Sequence, residues 1–285
     1  MPYIRGYNIK VGYKEETTEG VPPEGTEGNP LTYDYFGHIT GLTPTLNPNP
    51  VAVHPIGIRY PLTHVKGMRE IALSIESNPI SKTVLQYALT NITKTITVWE
   101  KLVDINSSII YKGLRANRLR LRGEVGRPLV STEDFIGKDA GTTIPNYADV
   151  PDVSTVSPFH FPEQSATLGG SPLSGVVSAF EVDIVNNVEA IYGIGDVVSV
   201  GSVERVIATT GSITMTLSSL SDLTDVLGVT EKANLAIVIG KEGGANVTLT
   251  IPKMVWTAYP KPIAVGNVIR ITLPFESHGA MPTIS

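Results

Sequence analysis

A chain of 285 residues is long enough for one large or two ordinary domains, each with its own core. Its residues are 41% hydrophobic and only 17% charged, with no cysteine, which removes disulfides, thiolate metal ligands and thiol catalysis. The net charge of −5 argues against a protein that coats nucleic acid, which would be basic.

In chain order, the first 35 residues read as irregular, and Glu15–Pro30 is too poor in apolar side chains to pack itself, so an arm or long loop is expected there. The opening MPYIRGYNIKVGYKEE has no apolar core of a secretory signal. No stretch approaches the roughly 18 apolar residues that span a bilayer. A soluble protein made in a cytoplasm is expected. Phe36–Leu46 and Val51–Tyr60 are extended but interrupted by Pro44, Pro48, Pro50 and Pro55, which suits edge strands. Arg69–Glu76 alternates Ile71, Leu73 and Ile75 with polar residues, a half-buried strand. Ser81–Leu89 places Val84, Leu85, Ala88 and Leu89 on one helical stripe. Thr93–Glu100, Ser107–Gly113 and Arg118–Glu124 follow as strands.

From Gly137 to Gly175 prolines and glycines dominate, and the pattern predicts a connector with one short extended piece near Phe159–Phe161. Beyond it, Val176–Ile184, Gly211–Leu217, Leu235–Ile239, Asn246–Ile251 and Val268–Phe275 read as strands. A second helix is expected at Ser221–Leu227, with Ser221 as N-cap and Gly228 as its stop.

The two halves share this order. Glu70–Tyr87 overlays Ser212–Val229 without a gap, Ile96 and Val98 fall on Ile237 and Ile239, and Asn117–Leu121 falls on Asn267–Ile271. Alternating apolar positions also align by chance, but a single frame that spans both a strand and a helix favours a true duplication. The fold class expected is mainly β, with two tandem β-sandwich or barrel units, each carrying one short α-helix. Residues 1–150 would form the first unit, with a mobile arm at about 10–35, and residues 151–285 the connector and second unit. Open strand edges in such units invite pairing with other copies.

No catalytic constellation is visible. There is no Gly-x-Ser-x-Gly elbow and no Walker loop, and Gly193-Ile-Gly195 is followed by Val198 where a dinucleotide fingerprint needs glycine. His38, His54, His64, His160 and His278 are scattered, and Glu133 and Asp134 point to opposite faces of one strand. No catalytic residue, cofactor or metal site is expected. Arg118, Arg120 and Arg122 line one strand face, either to meet carboxylates of another subunit, to contact phosphate, or simply to face solvent. Glu181 and Asp183 carry the opposite sign on a comparable strand. All five are taken as subunit-contact residues.

The segments Gly113–Asp139, Ser157–Leu168, Val177–Asp196, Val247–Ile251 and Val268–Phe275 occur in an order that resembles the tail tube proteins of long-tailed, siphovirus-like bacteriophages and related viruses. They cover about half the chain, and each alone is only a strand and a turn. The resemblance implies a structural virion protein, synthesised in the host cytoplasm, whose copies form stacked rings around a lumen through which viral DNA passes without specific binding. It implies three chains per ring if each supplies two units, or six if it supplies one. It implies further partners in tape-measure, tail-tip and terminator proteins. Alternatives of similar architecture are a tail terminator, the inner tube of a contractile tail, or a β-sandwich adhesion or carbohydrate-binding module. Trp99 and Trp256 lie in apolar strand patterns and read as core rather than as a binding platform.

Overall fold

The computed structural model describes residues 9–24, 32–53, 56, 59–61, 63–105, 107–142, 155–161, 166–173, 176–194, 196–205, 207–216, 234–242, 244, 246–258 and 270–285. The first half supplies β1 (Ile9–Glu15), β2 (His38–Asn47), β3 (Val51–Val53), β4 (Thr63–Val65), β5 (Glu70–Asn78), α1 (Lys82–Leu89), β6 (Ile96–Leu102), β7 (Ser107–Glu124), β8 (Val130–Gly137) and β9 (Asp139–Gly141). The second supplies β10 (Phe159–His160), β11 (Ala166–Leu168), β12 (Ser171–Pro172), β13 (Val176–Val185), β14 (Glu189–Ile191), β15 (Gly201–Val203) and β16 (Ala208–Thr216). It continues with β17 (Leu235–Lys241), β18 (Val247–Ile251), β19 (Met254–Trp256), β20 (Arg270–Ser277) and β21 (Thr283–Ile284). The protein is mainly β, as its Val-, Ile- and Thr-rich sequence predicts. The expected second helix at Ser221–Leu227 lies outside the described residues.

One sheet runs through both halves in the order β19-β20-β16-β13-β7-β8-β5-β2, with β1, β6 and β9 branching from it through β7. A second sheet, β12-β11-β17-β18-β21 with β10 on β17, belongs to the second half. The order repeats. Residues β7-β8-β5-β2 of the first half correspond to β19-β20-β16-β13 of the second, and β1-β6-β7-β9 to β11-β17-β18-β21. From β2 to β5 the correspondence is residue for residue: each of the four strand boundaries recurs in β13, β14, β15 and β16, displaced by one constant interval. Both pairs even slip register at the same place, at Ile39/Gly41 and Val177/Ala179.

Two backbone positions explain how the halves turn alike. Asn49 (φ 39°) and Asn187 (φ 48°), at equivalent places after β2 and β13, occupy the left-handed region that asparagine tolerates better than most residues. Gly113 (φ 63°) interrupts the pleat where β7 leaves β6 and joins β8, and Lys253 (φ 43°) stands between β18 and β19 in the matching place. The sequence pattern divides β7 into two strands at this glycine. The structure runs one strand through it and hands it from one layer to the other.

The overlay read from sequence selects the right strand for β5, namely β16, but in a shifted register. Asn117–Leu121 and Asn267–Ile271 do not correspond, because β20 takes the place of β8 rather than of β7. Phe135 and Phe275 are the true counterparts on these two strands and both are buried. Most buried apolar side chains of both halves merge into one cluster from Val11 to Ile284, beside a small second cluster of Tyr33, Trp99 and Ile110.

Two expectations are corrected. The stretch read as irregular contains β1, whose Ile9–Glu15 pairs antiparallel with Leu102–Ile96 of β6. Its continuation is tied down by polar bonds instead of apolar packing. Buried Glu16 accepts from Gly20 N, Thr95 Oγ1, Thr97 Oγ1 and Gly113 N at 2.6–2.8 Å. Between Gly137 and Gly175 the structure holds β9, β10, β11 and β12, not one extended piece, and Phe159 and Phe161 are buried.

Helix α1 forms where expected. Ser81 caps it by accepting from Thr83 N at 3.3 Å, and Val84, Leu85, Ala88 and Leu89 are buried. Asn186, fully buried after β13, donates to Ala88 O and Ala116 O at 3.1 and 3.0 Å and so clamps α1 and β7 to the second half.

Candidate assembly site

The seam between the halves lies where β13 pairs antiparallel with β7. Alternation sends Leu119, Leu121, Val182 and Ile184 into the core and leaves Arg118, Arg120, Arg122, Glu181 and Asp183 on the open face. Arg118 Nε donates to Asp183 Oδ1 at 2.7 Å, and its second nitrogen reaches Asp183 Oδ2, a forked pair. This hydrogen bond holds the Asp183 carboxyl below its usual range and raises Arg118. Arg120 lies 3.6 Å from both Glu181 and Asp183. Arg122 stands opposite Glu181 in register and remains exposed. Four of the five sequence-selected residues therefore meet one another inside one chain.

The same face continues across the sheet. On β5, β8, β16 and β20 the outward positions include Glu70, Glu76, Asp134, Thr132, Thr210, Ser212, Thr272 and Glu276, with Arg270 the cation and Ala72, Val130, Ile136 and Pro274 apolar. Among the described residues no aromatic ring of Phe, Tyr or Trp points outward from these four strands. Carboxylates outnumber cations on this face.

At its two ends the sheet is open. β2 pairs with β5 on one side only, and β19 with β20 on one side only, among the described residues. The core-side residue Leu46 of β2 is 51% exposed, so the rim is uncovered as well as unpaired. The rims are not arbitrary strands: β2 holds in the first half the place that β13 holds in the second, and β19 holds in the second half the place of the outer part of β7.

Sequence reasoning missed Arg115. It is 8% exposed and donates to Glu204 at 2.9 Å and to Glu19 at 3.4 Å, joining the segment after β1 and the segment after β15 to β7. Ser202 Oγ adds a bond to Glu19 at 3.0 Å. Arg115 carries no sequence signal beyond a charge on a strand, because its acidic partners are remote in the chain. Trp99 is buried as expected, whereas Trp256 is half-buried against Phe275.

Among the described residues there is no group of three His, Asp or Glu placed to bind a metal ion, and no helix long and apolar enough to cross a membrane. The chain belongs to a family described as phage tail tube protein, whose family model matches residues 6–277, nearly the whole length. No curated protein matches it. The protein is thus a tail component of a virion.

Proposed function

We propose that copies of this protein close into rings and stack into the hollow tube through which viral DNA passes, each chain supplying two tube units, residues 1–150 and 151–285. The observation that carries this reading is the repeated strand order. The seam inside one chain joins a β13-type strand to a β7-type strand, and the free rims are the β2 and β19 sides, the same two positions. One copy's β2 rim therefore meets the β19 side of the next as β13 meets β7 within the chain. Backbone groups at both rims gain partners, and closure abolishes the edges. A contact between two different surfaces generates a ring when its rotation closes.

In this assembly the polar face with excess carboxylates lines the lumen. Like charge keeps phosphates from adhering, and the absence of aromatic platforms denies bases a stacking site. Arg118 and Arg120 are already paired with Asp183 and Glu181 and are withheld from the DNA. Tape-measure, tail-tip and terminator proteins would occupy the ends of the tube. Native mass spectrometry of the smallest closed ring, with electron microscopy of the purified protein, tests the reading. Three chains per ring and long tubes are expected. Six chains per ring would overturn the two-unit assignment, rings that never stack would favour a terminator, and a persistent monomer would overturn the tube.

A further inference from the structure

We infer that the joint between neighbouring copies within a ring is closed by an apolar clasp, Pro48 and Pro50 of one copy against Trp256 of the next; this rests on the tube reading above. The seam inside the chain is the template. At its end Asn186 N donates to Asn117 O at 2.7 Å, Asn186 Nδ2 to Ala116 O at 3.0 Å, and Val188 N to Asn117 Oδ1 at 2.8 Å. These bonds latch the end of β13 onto β7, and Asn186 and Ala116 are buried there.

The free rims carry other residues in these places. The constant interval that takes β2 onto β13 puts Pro48 where Asn186 stands and Pro50 where Val188 stands. Neither proline has an N–H or a side-chain donor, so none of the three bonds forms at the β2 end. On the other rim Trp256 pairs with Phe275 as Ala116 pairs with Phe135, so an indole replaces a methyl group at the latch. Two prolines thus face a tryptophan where the internal seam has hydrogen-bonding asparagines.

The clasp is incomplete in the single chain. Trp256 is half-buried, edge-on to Phe275 at 6.2 Å, and its Nε1 has no hydrogen-bond partner among the described residues. Leu46, two residues before Pro48, is 51% exposed, whereas its equivalent Ile184 is fully buried beside β7. Pro48 and Pro50 are exposed as well. The corner they form is rigid before any contact: each ring fixes its own φ, and Asn49 between them, at φ 39°, donates Nδ2 to Met68 O at 3.0 Å. A preformed corner loses little freedom on docking, and tryptophan is among the side chains that anchor interfaces.

The two joints are therefore chemically unlike. An end with no donors, brought against β7, would leave Asn117 O and Oδ1 without the bonds they make with Asn186 and Val188. Such an end is mismatched to β7 and matched to the indole on β19, which keeps copies from pairing at the wrong strand.

The test uses the full chain, which has no cysteine of its own. Pro48→Cys and Thr257→Cys are introduced together, the assembled protein is oxidised, and its chains are separated on a denaturing gel without reductant. Thr257 follows Trp256 as Asn117 follows Ala116, so the pair should link successive copies into a ladder at least tenfold stronger than either single variant gives. Separately, Pro48→Asp with Pro50→Asp should keep the β circular-dichroism spectrum and lower the ring fraction in native mass spectra at least tenfold. Rings of the cysteine pair without a ladder, normal rings from the aspartate variant, or loss of its β spectrum would each overturn the clasp while leaving the tube reading standing. An unaltered protein that forms no rings would remove the reading on which the clasp rests.

Discussion

Glu133 is the residue most at odds with its surroundings. It points inward from β8, opposite Ile75 and Leu119, and is 2% exposed. Burial pushes its carboxyl up to about 8 against the lowering effect of a Ser131 hydrogen bond, and its Oε1 has no hydrogen-bond partner. Nearby Tyr13 is raised by the same burial. The folded-state value lies above the unfolded 4.5, so the folded chain holds a proton that the unfolded chain releases. The contribution of Glu133 to stability is therefore greatest below about pH 4.5, falls as pH rises toward 8, and is level above that. The matching position on β20 is Leu273, fully buried, so the site accepts an apolar residue of similar size. Glu133→Leu should raise stability at pH 8 by a few kcal/mol and flatten the slope between pH 5 and 8, measured by urea unfolding across that range. A slope unchanged by the substitution would show that Glu133 is not what titrates.

At the scale of elements, the β7–β13 seam is where charge and backbone pairing coincide. The positions of β2 equivalent to Glu181 and Asp183 are Thr43 and Thr45, so β2 offers the arginines of β7 no carboxylate. The ion pairs thus favour the internal seam over a wrong pairing of β7 with another copy's β2. Arg118 and Asp183 side chains are 36% and 19% exposed, so water weakens the pair. A double-mutant cycle with Arg118→Ala and Asp183→Ala should give a coupling of about 1 kcal/mol. A coupling near zero would leave the seam to its backbone bonds and core residues.

The same elements show what was legible in the sequence. β5, α1 and β13 were, because Ile71-Leu73-Ile75, the Val84–Leu89 stripe and Phe180-Val182-Ile184 each state one period clearly. The register of the repeat was not. A strand pattern of period two is unchanged by any even shift, so the overlay of Glu70 on Ser212 satisfies alternation as well as the true match of Glu70 with Ala208. What fixes the register is backbone conformation at Asn49 and Asn187 and at Gly113 and Lys253, and only the glycine signals this by composition. The segment after β1 was misread because its anchor is one buried carboxylate, Glu16, and hydropathy does not detect an anchor made of hydrogen bonds. The Arg118–Asp183 partnership needed the topology: each residue was selected, but both were assigned to contacts between copies.

For the whole molecule, the connection between halves acts as a tether for the seam. Carried on one chain, the two seam strands cannot diffuse apart, so their effective concentration exceeds that of separate pieces. Expressed as two polypeptides, residues 1–150 and 151–285 should recover the seam only when mixed at high concentration, read by analytical ultracentrifugation. Full association at nanomolar concentration would show that the tether contributes little. The exposed seam strand of either piece alone should also promote aggregation, since β7 and β13 are long and apolar on one side.

A rim shared between unlike halves has a consequence for faulty particles. If three chains close a ring as proposed, one absent copy would remove a third of the circumference, and no partial wall of five modules could exist. Incomplete hoops would then differ from complete ones by a large, abrupt gap, which growth of the next layer would meet as missing footholds. Fusion of two modules would in that case make proofreading coarse, and coarse errors are the easiest to reject.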